Sequence, residues 1–329
     1  MKIALDVMGG DHAPGEIIKG AYLALNTFDA HLILVGPSAL LEQELPKYGT
    51  FPHPRLSIHH APESVDMGES PAESFRKKKQ SSIRVGLELV KEGQADAFVS
   101  AGNTGAVMAT STLVLGRIPN IERPAIAATL PSEKGPFVML DMGSSVDCKP
   151  EHLAQFALMG HYFSSLVLDR ETPRVGLLNI GEEPGKGNLA CQEAHALIQA
   201  MPLNFIGNVE GKDILKGDAD VIVCDGFVGN NLLKFGEGVS TLFYDFFKKE
   251  AKQSVLSLMA LLLLKPALKR FRKQFDYQEY GGAPLLGVNG VSIIAHGKSS
   301  AKAIESAIGN AIHAVEQRMV EKITKAVSQ

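Results

Sequence analysis

An α/β fold is predicted for this chain: a three-layer α/β/α sandwich built on a mostly parallel mixed sheet. Three observations carry that expectation. Short runs of β-forming residues alternate with longer segments of helical period, the pattern of βαβ units. The junctions after the apolar runs are rich in Gly, Asn and Asp, as at the carboxyl ends of strands in open α/β sheets. The composition, 45% hydrophobic and 21% charged over 329 residues, is that of a globular chain and argues against disorder, collagen-like repeats or a multi-span membrane protein.

Taken in order, Lys2–Met8 is an apolar strand closed by Gly9-Gly10, and Pro14–Leu25 a helix with proline suited to its first turn. Strands Leu32–Val35 and Leu56–His59 follow, then a helix over Pro71–Glu92, strand Ala97–Ser100 and helix Thr104–Leu115. Strands Ala125–Leu130 and Phe137–Asp141 flank Pro131-Ser132-Glu133-Lys134-Gly135-Pro136, which reads as a hairpin turn and puts one antiparallel pair in the sheet. Helices His152–Leu168 and Leu189–Ala200 alternate with strands Val175–Ile180, Leu203–Ile206 and Val221–Cys224. Helix Asn231–Lys249, strand Val291–Ile294 and helix Ser299–Lys322 complete the pattern. No repeat and no linker interrupts it, so residues 1–329 read as one domain on a single mixed sheet with two lobes. Residues 250–280 read as a protruding helical hairpin, a dimer tip or a membrane-contact segment.

Charge and cysteine content narrow the function classes. With 33 basic and 36 acidic residues the net charge is −3, so no global field attracts nucleic acid and no nucleic-acid partner is expected. Cys148, Cys191 and Cys224 are far apart in sequence without a C-x-x-C, which argues against a disulfide framework or zinc ribbon and fits a reducing cytoplasm. The first residues lose apolar character at Asp6 before a signal-peptide core could form. The longest apolar run, Val255 to Leu264, is about half of the roughly 20 residues a spanning helix needs.

The strand-end junctions hold the chemistry. Asp6-Val7-Met8-Gly9-Gly10-Asp11-His12, Gly102-Asn103-Thr104-Gly105, Asp141-Met142-Gly143-Ser144-Ser145, Gly181 to Asn188 and Asp225-Gly226-Phe227-Val228-Gly229-Asn230 feed helices or sit beside them. Each offers backbone N–H groups at the positive end of a helix dipole, suited to a phosphate or an oxyanion. Ordinary capping explains any one of them as well; five on one sheet point to a site. Gly185-Lys186-Gly187-Asn188-Leu189-Ala190 fits G-x-G-x-x-A with Glu210 about 20 residues on, yet it begins four residues after its strand, which argues against a nicotinamide site. A Walker loop fails because Asn188 stands where Ser or Thr would bind magnesium. What survives is a mobile turn presenting Lys186 to a phosphate, or else a solvated surface lysine.

No G-x-S-x-G elbow is present, and Cys224 before Asp225 reads as a buried strand-end thiol. The adjacent His59 and His60 point to opposite faces of a strand, so no metal is expected. His12 is a candidate for acid–base or anion contact, and capping geometry accounts for it nearly as well. Arg76, Lys77, Lys78 and Lys79, with Arg84, form a basic helical face, solvated or suited to an acidic partner. Leu261, Leu262, Leu263, Leu264 and Lys265, beside Arg270, Arg272 and Lys273, match an interfacial amphipathic helix at anionic lipid, a dimer tip or a buried core helix.

Ile3 to Pro14, Ser100 to Ala106, Leu140 to Gly143, Asn179 to Glu183 with Gly185 to Asn188, and Asp225 to Asn230 together closely resemble the bacterial phosphate acyltransferase family, over essentially the whole chain. The resemblance implies reversible transfer of a long-chain acyl group from the phosphopantetheine thioester of acyl carrier protein to inorganic phosphate. The acyl phosphate would serve a downstream membrane glycerol-3-phosphate acyltransferase. It implies a homodimer, a fold related to phosphotransacetylases and to isocitrate and isopropylmalate dehydrogenases, no cofactor, and a cytoplasmic protein peripherally associated with an anionic membrane surface. Pro184 departs from the pattern and bears on the mobility of the Lys186 loop.

On that footing, phosphate falls to the amides of Gly102, Asn103, Thr104 and Gly105 and to Lys186, with the Asn103 and Thr104 side chains as donors. Asn230 would orient the thioester or its oxyanion. Asp6, Asp141 and Asp225 would orient lysine or histidine, and His12 would protonate the leaving thiolate. Carrier protein would dock on Arg76, Lys77 and Lys78 or on Arg270, Arg272 and Lys273. A short-chain phosphotransacetylase, a dehydrogenase of the same fold and a non-catalytic membrane scaffold are the competing readings.

Overall fold

The computed structural model describes residues 1–250, 259, 263, 264, 266 and 281–328. Strands alternate with helices as expected, but they form two sheets where one was anticipated. The seven-stranded sheet runs β3 (Leu56–His60), β2 (His31–Gly36), β1 (Lys2–Asp6), β4 (Ala97–Ser100), β12 (Val291–Ile294), β11 (Ala283–Leu286), β5 (Ala125–Ile126). Its first five strands are parallel, and β11 runs antiparallel to both neighbours. The five-stranded sheet runs β6 (Ala128–Leu130), β7 (Phe137–Leu140), β10 (Val221–Val223), β8 (Arg174–Asn179), β9 (Asn204–Glu210), parallel apart from the expected β6–β7 hairpin.

The expected strand 125–130 is therefore divided. Ile126 donates its N–H to the Asp141 carboxylate at 3.0 Å and Ala127 donates to the Pro284 carbonyl, so the chain leaves one sheet at β5 and enters the other at β6. Successive side chains of a strand face opposite layers, and both layers are apolar here. Ile3 and Leu5 pack with α1 (Gly15–Thr27) and the helix Ala301–Glu316, which we call α9; Ala4 and Phe98 pack with α4 (Ser82–Lys91) and α5 (Thr104–Val114). Helix α6 (Pro150–Val167) covers the second sheet against β7 and β10.

Three expected helices end differently. The helix over 71–92 is two, α3 (Pro71–Lys77) and α4, because Ser81 accepts the Arg84 N–H as a new N-cap. Helix 299–322 divides at Arg318, whose φ of 51° is left-handed, into α9 and α10 (Met319–Val327). Helix α8 spans Gly226–Glu250, starting five residues before the expected Asn231 because Asp225 caps it. Among the described residues α2 (Ser38–Glu44), β11 and two short 3-10 helices, Leu45–Lys47 and Gly211–Lys216, were not anticipated. The remaining long helix, α7 (Leu189–Gln199), lies where expected.

Candidate active site

The strand-end junctions assemble into two groups, one on each sheet. The first joins β1, β4 and the turn after β12. Asp6 is 1% exposed; it accepts the Ser100 hydroxyl at 2.6 Å and the Met8 N–H at 3.1 Å. Burial pushes its carboxyl up, against the opposing pull of the Ser100 and Ser82 hydroxyls. Ser100 in turn accepts the Gly102 N–H at 3.0 Å. Asp6 is thus the buried post that fixes the 100–105 turn and has no open face toward a substrate.

Asn103, expected to donate to phosphate, is committed elsewhere. Its Oδ1 accepts the Ala106 N–H at 3.0 Å as the α5 cap, and its Nδ2 donates to the carbonyls of Met67 at 2.8 Å and Glu69 at 3.0 Å. That clamp ties the turn to the 66–69 loop and leaves the side chain no donor to spare. The N–H groups of Thr104 and Gly105 have no partner among the described residues and face outward at the positive end of α5. Thr104 itself is exposed. His12 is exposed beside this group, on a turn held by the Asp11 N–H to Gly297 carbonyl bond of 2.7 Å.

The second group lies at the ends of β7, β8 and β10. Asp141, fully buried, accepts five donors: the N–H groups of Ile126, Gly143, Ser144 and Ser145 and the Ser144 hydroxyl, the last at 2.6 Å. Burial pushes its carboxyl up, while the Ser144 bonds oppose that rise. Asp225 caps α8 by accepting the Val228 N–H at 2.7 Å. Gly229 lies so close to Asp141 that an added Cβ would stand 2.0 Å from the Asp141 carbonyl oxygen. Asn230 is exposed and sits against Gly143, where an added Cβ would stand 3.4 Å from the Asn230 Cβ.

The Lys186 loop, expected to be a mobile turn, is tied at four points. Asn179 donates to the Lys186 carbonyl at 3.0 Å, Gln192 to the carbonyls of Gly185 and Gly187 at 3.0 Å each, and Asn208 to Glu183 at 2.8 Å. Gly187 has φ +91° and packs on the Asn179 amide, so the turn requires glycine there. Asn188 caps α7 through the Cys191 N–H at 2.9 Å. The loop thus holds an exposed Lys186, free of any ion pair among the described residues, on a fixed base. Beside it opens a cavity of about 300 Å³ walled by Leu153, Leu177, Ile180, Val228 and Leu232, with Asp225 and Asn188 at its polar edge.

No hydrogen bond or ion pair among the described residues joins the two groups directly, so the Gly102–Gly105 turn and Lys186 stand on opposite sheets. None of the three cysteines near the second group is an activated nucleophile: burial, with the carboxylates of Asp141 and Asp225, pushes Cys148 up to about 12, burial raises Cys224 well above the usual thiol range, and burial with the Asp225 charge raises Cys191. His60 accepts the Ser38 N–H at 3.2 Å, and among the described residues no group of three or more His, Cys, Asp or Glu is placed to hold a metal.

The basic face is not one surface. Lys78 is paired with Glu69, Lys77 with Glu73 at 3.4 Å, and Arg84 belongs to α4, while Arg76 and Lys77 are exposed. Leu263 and Leu264 are 82% and 55% exposed; Leu261, Leu262, Lys265, Arg270, Arg272 and Lys273 lie outside the described residues. Sequence reasoning gave no role to Ser100 and Ser144, which lie in stretches it singled out, and missed Asn208; all three hold the turns.

Comparison with known proteins gives the family and the fold. A family model described as fatty acid synthesis protein matches residues 1–322. A phosphate acyltransferase of Moorella thermoacetica is 52% identical over 97% of this chain and 94% of its own length. One from Pelotomaculum thermopropionicum is 50% identical over 99% and 95%. Among solved structures, a phosphotransacetylase from Streptococcus pyogenes superposes with a TM-score of 0.66 at 16% identity, covering 100% of this chain and 94% of the other. A 4-hydroxythreonine-4-phosphate dehydrogenase from Klebsiella pneumoniae does so with a TM-score of 0.52 at 15% identity over 95% and 99%; at such identities the likeness is one of fold. The chain therefore belongs to the fatty acid synthesis protein family, as one of its phosphate acyltransferases.

Proposed function

We propose that the chain transfers a long-chain acyl group, reversibly, from the thioester of acyl carrier protein to inorganic phosphate. A phosphate oxygen forms the new bond to the carbonyl carbon, the carbon–sulfur bond breaks, and the thiolate leaves with a proton. Phosphate is already a competent nucleophile, so the site must hold it, stabilise the oxyanion and exclude water. The observation that carries the reading is the pair of unpartnered N–H groups at Thr104 and Gly105, fixed by the Asp6–Ser100 and Asn103 clamps.

Phosphate binds those amides, with Lys186 contributing its charge from the second sheet. Asn230, on the glycine-rich start of α8, orients the thioester, His12 supplies the proton, and the apolar cavity beside Asp225 receives the first carbons of the acyl chain. Asp141 and Asp225 act by positioning the loop and helix that carry Asn230. No cofactor or metal takes part. The exposed Arg76 and Lys77 receive the acidic carrier protein, with electrostatic steering that weakens in salt. The reading extends to a homodimer that is peripheral to an anionic membrane and supplies acyl phosphate to a glycerol-3-phosphate acyltransferase. Its support is the row of exposed Phe235, Leu242, Phe243, Phe246 and Phe247 on α8, next to the basic, leucine-rich segment that follows. Among the described residues no helix is long and apolar enough to cross a membrane.

Incubation with palmitoyl-acyl carrier protein, with and without phosphate, tests this directly. Phosphate-dependent acyl hydroxamate, trapped with hydroxylamine and matched by thiol release, is expected. Thiol release without hydroxamate makes the protein a thioesterase, and faster turnover of acetyl-CoA makes it a short-chain enzyme. Lys186→Ala should lower the rate at subsaturating phosphate by roughly 10²-fold.

A further inference from the structure

Against the Asp141 loop lies a second, larger cavity, about 580 Å³, lined by Arg117, Glu122, Arg123, Pro124, Lys149 and His152. Three cations face one carboxylate. Arg123 and Lys149 make no ion pair among the described residues, and Arg117 donates to the Glu122 backbone carbonyl, which leaves its charge uncompensated. The one carboxylate is occupied. His152, buried, accepts the Lys149 N–H on Nδ1 at 3.1 Å, and its Nε2 lies 3.2 Å from the Glu122 carboxylate. This contact fixes the Arg123 turn against the start of α6. A concave, positively charged cavity of this kind concentrates anions.

Size and place say which anion. A water occupies about 30 Å³ of liquid, so bare phosphate would fill only a small part of the space, whereas a phosphate ester carrying an organic arm would use it. Thr112, on the cavity wall, is eight residues after Thr104 on α5, which puts the wall about 12 Å along the helix from the unpartnered amides. On its other side Pro124 accepts the Ser144 hydroxyl at 2.7 Å, so the cavity shares a wall with the Asp141 loop. A phosphopantetheine arm has 13 bonds from phosphorus to sulfur and, at the reach of a peptide backbone, spans about 15 Å. Seated by its phosphate in this cavity, the arm reaches the strand ends.

We propose that the cavity is the binding site for the phosphodiester of the carrier protein's phosphopantetheine arm, with Arg123 and Lys149 as the free cations that hold it. This rests on the acyl-carrier-protein reading of the function. Two measurements test it, on the wild-type chain, Arg123→Gln and Lys149→Gln. In the first, phosphopantetheine and pantetheine are titrated calorimetrically, without turnover. Wild type should bind phosphopantetheine at least tenfold more tightly, and each variant should lose about tenfold of that preference. Equal affinity for the two ligands in wild type, or an undiminished preference in both variants, overturns the proposal.

In the second, KM is measured for palmitoyl-acyl carrier protein, for S-palmitoyl-pantetheine and for inorganic phosphate. The first should rise about tenfold in each variant, with the other two unchanged. A rise for phosphate instead assigns the cavity to the other substrate, and equal rises for both thioesters assign the cations a structural role; either result overturns the proposal. If wild type makes no acyl phosphate from any thioester yet prefers phosphopantetheine in the titration, the functional reading fails and the site stands.

Discussion

Replacing Gly229 by alanine sets two effects of opposite sign against each other, and the structure decides between them. Alanine in a helix interior is favoured over glycine by about 1 kcal/mol. The new methyl, however, would stand 2.0 Å from the Asp141 carbonyl oxygen, against a normal contact of 3.4 Å or more, and 3.1 Å from the Cys224 sulfur. The first obstacle is backbone and cannot rotate away, so the start of α8 must retreat by well over an ångström. Overpacking of this kind costs about 1–3 kcal/mol, and with a displacement this large the upper part of that range applies. The net expectation is a loss of about 2 kcal/mol. Gly236 and Gly238 supply the control: they lie in the same helix with no atom within 4 Å of an added Cβ. Gly236→Ala and Gly238→Ala should each stabilise by up to about 1 kcal/mol. Urea unfolding followed by circular dichroism ranks all four proteins, and acyl phosphate formation in Gly229→Ala should fall because Asn230 moves with the helix. A Gly229→Ala protein as stable as wild type would refute the close seating of α8 on the Asp141 loop.

Other expectations follow from single contacts. Asp220 forms a forked pair with Arg174, Nε to Oδ2 at 2.9 Å and Nη2 to Oδ1 at 3.1 Å; burial pushes its carboxyl up, but the Arg174 bonds outweigh this and hold it below 3.8. A depressed carboxyl contributes stability above its unfolded value, lost as pH falls through the folded one, so Asp220→Asn should flatten the acid limb of the stability curve below about pH 4. Because the Arg174 side chain is 38% exposed, solvent screening limits its cost at neutral pH to about 1–2 kcal/mol, measurable by urea titration at pH 7 and pH 3. With Cys148 pushed up to about 12 from 9.0, its thiolate fraction near neutrality is roughly a thousandfold below that of a free thiol, so iodoacetamide should label the folded protein far more slowly than the urea-unfolded one. Asn188→Ala removes the α7 cap and should cost about 1 kcal/mol in thermal unfolding. Gly187→Ala meets both a positive φ and the Asn179 amide; the KM for phosphate should rise with kcat changed less, as Lys186 loses its fixed base.

The alternation of strands and helices was legible because it depends on local period. Ile3 and Leu5 on one face of β1 and Ala4 on the other read as a strand buried on both sides, which it is. Sheet membership was not legible, since it rests on distant pairings: Ile126 and Ala128 are two residues apart yet belong to different sheets, a division made by the Asp141 carboxylate and the Pro284 carbonyl. The break after Lys77 left a signal in Ser81, a good N-cap, whereas the break at Arg318 left none, because arginine has no preference for a left-handed φ. The five candidate junctions were picked out from their glycine, asparagine and aspartate content and their place after expected strands. What composition could not show is which polar groups face inward. Asp6 and Asp141 are spent on their own loops, and Asn103 on its neighbours, leaving the backbone of Thr104 and Gly105 and the side chains of Lys186 and Asn230 as the outward-facing chemistry.

The strand order also dictates a sequence of assembly. All five strands of the smaller sheet come from one continuous stretch, Ala128 to Val223, and can pair as soon as that stretch leaves the ribosome. The larger sheet must wait. Its β4 faces a gap until β12 arrives, for Ala97 pairs with Val291, and α1 lacks its packing partner until α9 is made. During synthesis the amino-terminal half therefore exposes one open strand edge and one apolar helix face, the surfaces that trigger factor-like chaperones cover and that cause a chain released early to aggregate. A nascent chain stalled before Ala283 should then be protease-sensitive through its first hundred residues while the middle of the chain is already protected.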